Sequence, residues 1–113
     1  MEKYKIITNI HGDKYYYLNK TYYREDGAVI KFNDGYFSWY LNGTLHRDGG
    51  PAIELAYGDK FWYKNGRRHR EYGPAIEYVN GRKSWYVNDI CYGYDHDFTN
   101  ESWVKFIKTL IFS

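Results

Sequence analysis

Aromatic and apolar residues alternate with polar residues in short stretches over most of the chain, and the pattern returns at a fixed interval. Trp39, Trp62 and Trp85 stand 23 residues apart, and Tyr16 holds the same place one interval earlier. A fixed period of roughly 20–50 residues is typical of an array of similar supersecondary units. The other positions that keep step are Asn19, Asn42, Asn65 and Asn88; Gly12, Gly35, Gly58 and Gly81; His46 and His69; and the dipeptides Gly50-Pro51 and Gly73-Pro74.

The pattern within each unit predicts a β-hairpin. An Asn-Gly pair between aromatic-rich flanks, as at Asn65-Gly66, is typical of a type I′ turn, which needs positive φ at both central residues. Counting outward from the turn places a ring opposite a ring, and such pairs stabilise a sheet by roughly 0.2–1 kcal/mol each. The predicted pairs are Trp39 with His46, Trp62 with His69, Trp85 with Tyr92, and Tyr16 with Tyr23.

A further strand is predicted after the Gly-Pro dipeptide, because proline donates no hydrogen bond and interrupts the preceding ladder. In the second unit Ile53, Leu55 and Tyr57 alternate with other residues, which predicts one extended strand with these three side chains on the same face. The next glycine, Gly58, is expected to turn the chain into the following unit. The pattern leaves open whether a unit holds two strands or three.

The last residues, "DHDFTNESWVKFIKTLIFS", change period and predict an amphipathic helix over 97–112. Asp97 or Thr99 can cap it, and Glu101 favours its first turn. A helix of this length is marginal alone, so we expect it to pack on the last unit and cover the open end of the array. The apolar face consists of Trp103, Phe106, Ile107, Leu110 and Ile111.

Together these elements predict a mainly β fold, an antiparallel meander of 23-residue hairpin repeats with one C-terminal capping α-helix. The 113 residues suffice for one domain, over 1–113, in which the repeat array covers 4–94. Aromatic residues make up 22% of the chain, which favours strands because flat rings pack well on a pleated surface.

Composition and charge limit the cellular compartments and the kinds of partner that fit this sequence. The single cysteine, Cys91, excludes an intramolecular disulfide and a zinc site built from cysteines, which fits a reducing cytosol. The N-terminal "MEKYKIITNI" lacks the apolar core of a signal peptide, and no apolar run approaches the roughly 20 residues of a membrane helix. The net charge of +2 is too small to indicate a nucleic-acid-binding protein by itself. We therefore expect a cytoplasmic protein without a membrane partner.

Two stretches, "YLNGTLH" (40–46) and "YKNGRRH" (63–69), carry a resemblance to a known repeat family, and "YLNKTYY" and "YVNDICY" are degraded copies of them. They resemble MORN-type repeats. The longer form WYxNGxxHRxxGPA is similar to the MORN-like repeats of uncharacterised phage and large-DNA-virus proteins. The resemblance implies a binding or scaffolding surface, and a small viral protein that engages or inhibits a factor in the host cytoplasm.

No constellation of residues in the sequence predicts catalysis, and neither a metal nor a cofactor is expected. His46 and His69 fall on equivalent strands roughly 9–10 Å apart, so one zinc ion, which needs each nitrogen about 2 Å away, cannot bind both. We interpret both histidines as structural residues that pack on the facing tryptophan. Cys91 replaces a variable strand residue and is interpreted as an inert thiol.

The third unit departs most from the array and provides the candidate binding site. Where the second unit has Leu41, Thr44 and Leu45, the third has three cations, which form a basic hairpin tip in "KNGRRHR". Because these positions vary between units, the fold is not expected to need the cations, although a solvated turn is an alternative reading. Arginines after the histidine position can instead lie flat over aromatic faces. The predicted binding residues are Trp62, Tyr63, Lys64, Arg67, Arg68 and Arg70.

The leading hypothesis for function is a non-catalytic binding protein, not an enzyme, that acts by shape and charge on a protein partner. The alternative is a nucleic-acid or nucleotide binder, which would use the basic tip for phosphates and Tyr and Trp faces for base stacking. The sequence does not predict an oligomeric state.

Overall fold

The computed structural model describes residues 4–12, 14–18, 21–22, 30–31 and 35–111, and it is mainly β with one C-terminal helix. Its antiparallel strands and single helix confirm the predicted fold class. The elements are β1 Tyr4–Thr8, β2 Lys14–Leu18, β3 Thr21–Tyr22, β4 Ile30–Lys31, β5 Phe37–Ser38, β6 Tyr40–Leu41, β7 Thr44–Leu45, β8 Ile53–Glu54, β9 Lys60–Phe61, β10 Tyr63–Lys64, β11 Arg67–Arg68, β12 Ile76–Glu77, β13 Lys83–Val87, β14 Ile90–Tyr94, a 3₁₀ turn Asp95–Asp97, and α1 Asn100–Ile111.

Within the described residues the strands form one large antiparallel sheet and two separate hairpins. The large sheet has ten strands in the order β1-β2-β4-β5-β8-β9-β12-β13-β14, with β3 paired to β2. The hairpins β6–β7 and β10–β11 stand apart from it. The molecule measures 45 × 33 × 18 Å, so it is a flat slab.

The two central Asn-Gly turns have the geometry that their sequence predicts. Asn42 and Gly43 have φ of 51° and 79°, and Asn65 and Gly66 have φ of 52° and 78°, as a type I′ turn requires. The backbone N–H of the histidine that follows each hairpin donates to the carbonyl oxygen of the predicted tryptophan, at 3.1 Å in both units. The predicted backbone pairing of tryptophan with histidine is therefore confirmed in the second and third units.

The predicted pairing of Trp85 with Tyr92 is wrong. Trp85 lies opposite Gly93 and Tyr86 lies opposite Cys91, so Tyr92 is an extra residue in a β-bulge. The bulge has a packing reason, because Tyr92 contacts α1 instead of the facing strand. The pair Tyr16 with Tyr23 lies outside the described residues, although the neighbouring register of β2 and β3 fits the same count.

The extended strand predicted from Ile53 to Tyr57 is wrong in its length, because β8 ends at Glu54. The next residues form a turn in which the N–H of Gly58 donates to the carbonyl oxygen of Leu55 at 2.9 Å. Tyr57 therefore lies on the turn and is 64% exposed. The turn at Gly58 is confirmed, with φ of 112°. In the second unit the chain forms four short strands, β5 to β8, rather than two or three.

The predicted C-terminal helix is confirmed, but it begins later than predicted, at Asn100 instead of residue 97. Asp97 lies in the 3₁₀ turn, where its carboxylate accepts the N–H of Tyr94 at 2.8 Å. Thr99 is the cap, because its hydroxyl oxygen accepts the N–H of Ser102 at 3.0 Å. The predicted end at residue 112 lies outside the described residues.

The principal buried cluster lies between α1 and the last hairpin, β13–β14. Trp85 and Trp103 are 1% and 0% exposed, and Ile107 joins them, which confirms that the apolar face of the helix packs on the last unit. Leu110 is half-buried. The residues that pack around this cluster are Val87, Tyr92, Phe98 and Phe106.

Candidate functional site

Consecutive hairpins lie side by side, joined by backbone hydrogen bonds between their tips. The return strand of each hairpin bonds to the turn and first strand of the next, and the same two bonds recur 23 residues later. Since these bonds join the second hairpin to the third and the third to the last, the three hairpins form one continuous surface. The bonds are Gly66 N–H to Leu45 O at 2.8 Å, Arg47 N–H to Tyr63 O at 3.2 Å, Asp89 N–H to Arg68 O at 2.9 Å, and Arg70 N–H to Tyr86 O at 3.3 Å.

The histidines link the hairpins, a role that the sequence analysis missed. The Nδ1 atom of His46 accepts the backbone N–H of Asn65 at 2.9 Å, and Nδ1 of His69 accepts that of Asn88 at 3.2 Å. Each Nε2 lies 3.2–3.3 Å from the carboxylate two residues further along the chain. The histidines are therefore structural residues, as predicted, with a hydrogen bond to the next turn. The constant spacing of His to the following Asn was the sequence signal for this bond.

The arginines after the histidines lie flat over tryptophan rings. The guanidinium carbons of Arg47 and Arg70 are 3.9 and 3.8 Å from the ring centroids of Trp39 and Trp62. A Cβ atom at Gly73 would lie 2.7 Å from Cζ of Arg70, so only glycine permits this approach. A Cβ atom at Gly50 would likewise lie 2.7 Å from Cζ of Arg47. The recurring Arg and Gly-Pro are thus explained by one packing motif, with a cation–π contact at its centre.

The cations at the basic tip of the third hairpin differ in their contacts with the rest of the protein. Nε of Arg68 donates to the carboxylate of Asp89 at 3.0 Å, and its guanidinium lies 4.5 Å from the ring centroid of Tyr86. The backbone N–H of Arg68 and then its guanidinium hold the pKa of Asp89 below its usual value. Arg68 therefore joins the third hairpin to the last one, a contact that the sequence did not predict, and the expectation that the fold does not need this side chain stays a prediction.

Lys64 and Arg67 are the part of the tip without such a role. They lie directly opposite each other across the hairpin, and both are exposed. Like charges in this position destabilise a hairpin. In the part of the chain that the structure describes, neither cation forms an ion pair. The equivalent positions of the second hairpin hold Leu41 and Thr44, so an uncharged pair suits the same backbone.

An open cleft of about 390 Å³ lies next to this tip, between the second and third units. It brings together three of the six predicted binding residues, Trp62, Lys64 and Arg70, whereas Tyr63, Arg67 and Arg68 lie outside its lining. Because two units contribute to it, no single unit of the sequence indicates its existence. The lining residues that sequence reasoning missed are Arg47, Asp48, Gly49, Gly50, His69, Glu71 and Tyr72.

The cleft is lined by charges of both signs, with three cations and two carboxylates. The carboxylates of Asp48 and Glu71 each approach the Nε2 atom of a histidine. Arg70 forms an ion pair of 2.9 Å with Glu77. Among the described residues, Arg47 and Lys64 have no carboxylate partner. The cleft can therefore accept a negatively charged group beside these two cations.

Comparison with protein-family models, with curated proteins and with solved structures gave no match for this chain. The resemblance to MORN-like repeats thus rests on the residues quoted for it, and the function must be argued from the site. In the described part of the chain, no helix combines the length and the apolar character that crossing a lipid bilayer requires.

Proposed function

We propose that this protein is a non-catalytic binding protein whose third hairpin tip, with the adjoining cleft, takes an acidic surface of a partner protein. The observation that carries the proposal is the pair Lys64 and Arg67, two exposed cations placed opposite each other. This arrangement costs the isolated hairpin stability, because the two charges repel each other. A carboxylate of a partner would remove that repulsion on binding and add attraction.

A protein partner fits the aromatic residues better than a nucleic acid does. Base stacking needs an open ring face. One face of Trp39 and one face of Trp62 are covered by guanidinium groups, and Trp85 is 1% exposed. Each of these rings thus offers at most one face to a base, whereas binding of single strands favours a series of open rings. In line with the resemblance to viral repeat proteins, we take the partner to be a host factor in the cytoplasm.

The proposal is tested by reversing the two charges together, with Lys64→Glu and Arg67→Glu in one variant. Because both side chains are exposed, the melting curve should stay close to that of the parent, within about 0.5 kcal/mol. The variant should lose at least about tenfold in affinity for a protein captured from host lysate, measured with the purified partner on a biosensor. Equal affinity of variant and parent would exclude the basic tip.

The matched control places the same two glutamates on the second hairpin, as Leu41→Glu and Thr44→Glu. It adds negative charge at the equivalent pair of positions, so it reports any general effect of acidity. A titration with a single-stranded oligonucleotide at two salt concentrations separates the alternative function. Binding that weakens steeply with salt, and is abolished by the third-hairpin variant alone, would favour nucleic acid over a protein partner.

A further inference from the structure

The last unit shows how a groove between two units is filled. Trp103 of α1 is fully buried, and its indole N–H donates to the carbonyl oxygen of Arg70 at 2.8 Å. Its ring centroid lies 5.4 Å from that of Trp85 and 6.3 Å from that of Tyr92. Val87 packs against the same cluster. One tryptophan side chain thus inserts between the loop of the third unit and the hairpin of the fourth.

The same groove, one period earlier in the sequence, is the open cleft. The residues that surround Trp103 have counterparts 23 positions earlier. These counterparts are Arg47, in place of the hydrogen-bond acceptor Arg70, and three residues whose side chains form the walls of the cleft. All four positions line the cleft of about 390 Å³. Its volume falls in the range of roughly 300–1,000 Å³ that is usual for binding pockets. The positions 23 residues apart are Arg70 and Arg47, Trp85 and Trp62, Tyr92 and His69, and Val87 and Lys64. The third pair differs in backbone register, because Tyr92 lies in the β-bulge whereas His69 pairs with Trp62.

We propose that this cleft is the docking site for an amphipathic helix of a partner protein, which inserts one tryptophan side chain and presents a carboxylate to the cleft wall. The proposal rests on the proposed function and names the chemistry of the partner. The protein's own α1 is the template for the inserted ring. The cleft's own side chains set the charge of the segment that carries it.

The tryptophan is indicated by the acceptor and by the wall that it would contact. Arg47 lines the cleft, and it is the counterpart, 23 residues earlier, of Arg70, whose carbonyl oxygen accepts an indole N–H. In the last unit Phe98 occupies the space over Trp85, because Gly93 has no side chain there. In the cleft the guanidinium of Arg70 takes that place, and it offers an incoming ring a cation–π contact.

A carboxylate is indicated by one of the two substitutions in the walls, Val87 to Lys64, since His69 already pairs with Glu71. Phe106 of α1 packs on Tyr92 at a centroid distance of 5.3 Å, and Val87 also faces the helix. In the cleft these walls are His69 and Lys64. An apolar side chain placed against Lys64 would desolvate its charge without compensation, which is unfavourable. A second copy of α1 is therefore poorly matched, whereas a glutamate at the same position would pair with the lysine.

The test uses a peptide designed from α1 and the full-length protein. The peptide is an acetylated and amidated copy of residues 98–111 that carries Phe106→Glu and Ile107→Glu. These glutamates disfavour exchange with α1, because they would be buried against Val87 and Tyr92. It is titrated into ¹⁵N-labelled protein and followed by amide and indole chemical shifts. We expect saturable shifts at Arg47, Trp62 and His69, with the signals of α1 unchanged.

Two matched pairs of variants identify the contacts. Replacing the peptide's tryptophan by alanine should weaken binding by roughly tenfold or more, as the loss of a central aromatic contact does. In the protein, Lys64→Glu should weaken binding several-fold, since it places like charges together. Lys60→Glu makes the same charge change at an exposed position outside the cleft lining, and it should leave binding unchanged.

The outcomes separate this proposal from the proposed function. Equal binding of the tryptophan and alanine peptides, shifts located at α1, or self-association of the protein on sizing would each overturn the docking proposal. Arg67 does not line the cleft, so Arg67→Glu should leave peptide binding much less affected than Lys64→Glu. One combined result would support the proposed function and contradict the docking site. In that result the charge-reversed variant loses its protein partner, but the alanine peptide binds as well as the tryptophan peptide.

Discussion

The third unit and the last unit contain the same hairpin, but they cover their tryptophan in different ways. Trp85 is covered by two aromatic rings, Phe98 and Trp103, and is almost fully buried. Trp62 is only half-buried, and it is covered by the guanidinium of Arg70. The two units differ at the position of Arg70, which is Gly93 in the last unit, where a Cβ atom would lie 2.9 Å from the ring of Phe98. The glycine leaves room for this ring, whereas the arginine covers Trp62 with a charged group.

This difference places the most extensive apolar packing on one unit and the candidate binding site on another. Burial of several aromatic side chains concentrates hydrophobic stabilisation at the last unit. The third unit depends on hydrogen bonds between hairpins and on a cation–π contact, which contribute less and leave polar groups at the surface. The exposed cations lie on this less apolar unit, and the open cleft lies between it and the second unit. The strongest packing and the candidate site are therefore on neighbouring but distinct units.

The largest expected effect is the loss of the buried ring in the last unit. Trp103→Ala removes a fully buried side chain and its hydrogen bond to the carbonyl of Arg70, and it should reduce the free energy of unfolding by about 3–5 kcal/mol. Denaturant unfolding followed by circular dichroism measures it. Trp103→Phe keeps a ring but loses the donor, so it should cost clearly less. Equal stability of parent and alanine variant would contradict the role given to α1.

The next effect concerns the arginine cover of the third unit. Gly73→Ala places a Cβ atom 2.7 Å from Cζ of Arg70 and should displace the guanidinium from Trp62 and from Glu77. We expect a loss of about 1–2 kcal/mol in denaturant unfolding, because the lost cation–π contact and hydrogen bonds are partly offset by the lower entropy of the unfolded chain. In a background with Arg70→Met the same change should cost little. If Gly73→Ala lowers the free energy of unfolding equally in both backgrounds, the glycine is not needed for the placement of the Arg70 side chain.

Most features that the sequence predicted correctly are local, and the packing of α1 on the last unit is the exception. The turn at Asn65-Gly66 needs only its own two residues, because few others adopt positive φ. The apolar face of the helix is set by spacings of three and four residues along one segment. The pairing of Trp39 with His46 follows from the turn by counting. Each of these depends on fewer than a dozen consecutive residues.

The features that it did not predict depend on contacts between units. The bulge at Tyr92 forms because the helix provides a partner for that ring, and nothing within the hairpin requires it. The ion pair of Arg68 with Asp89 joins residues 21 apart on consecutive hairpins. The cleft needs the relative position of two hairpins, which a period of 23 residues does not define. Periodicity identifies equivalent residues but not the distance between neighbouring units.

The third effect tests the turn on which the tip stands. Gly66 has φ of 78° and its added Cβ would lie 3.5 Å from Thr44, an ordinary contact, so the penalty for Gly66→Val is conformational. It should reduce the free energy of unfolding by about 1–2 kcal/mol, because a β-branched residue is disfavoured there. Gly66→Asn is the control, since asparagine tolerates positive φ, and it should cost less. Coincident thermal melts of valine variant and parent would contradict the turn geometry.

The smallest effect concerns the contact that ties the third unit to the last one. The pKa of Asp89 is lowered by hydrogen bonds from Arg68, so this carboxylate contributes stability well above its unfolded pKa of about 3.9 and loses it as the pH falls through the lower folded-state value. Since Asp89 is 47% exposed, solvent limits the contribution to about 0.2–1 kcal/mol. Asp89→Asn keeps an acceptor and tolerates the positive φ of 69°, but it does not titrate. The free energy of unfolding of this variant is subtracted from that of the parent at each pH between 7 and about 2. The difference isolates the contribution of Asp89 from that of Asp95, whose pKa is also lowered, chiefly by the backbone N–H of Lys83. A difference that stays constant over this range would show that the two units are not joined through this charge.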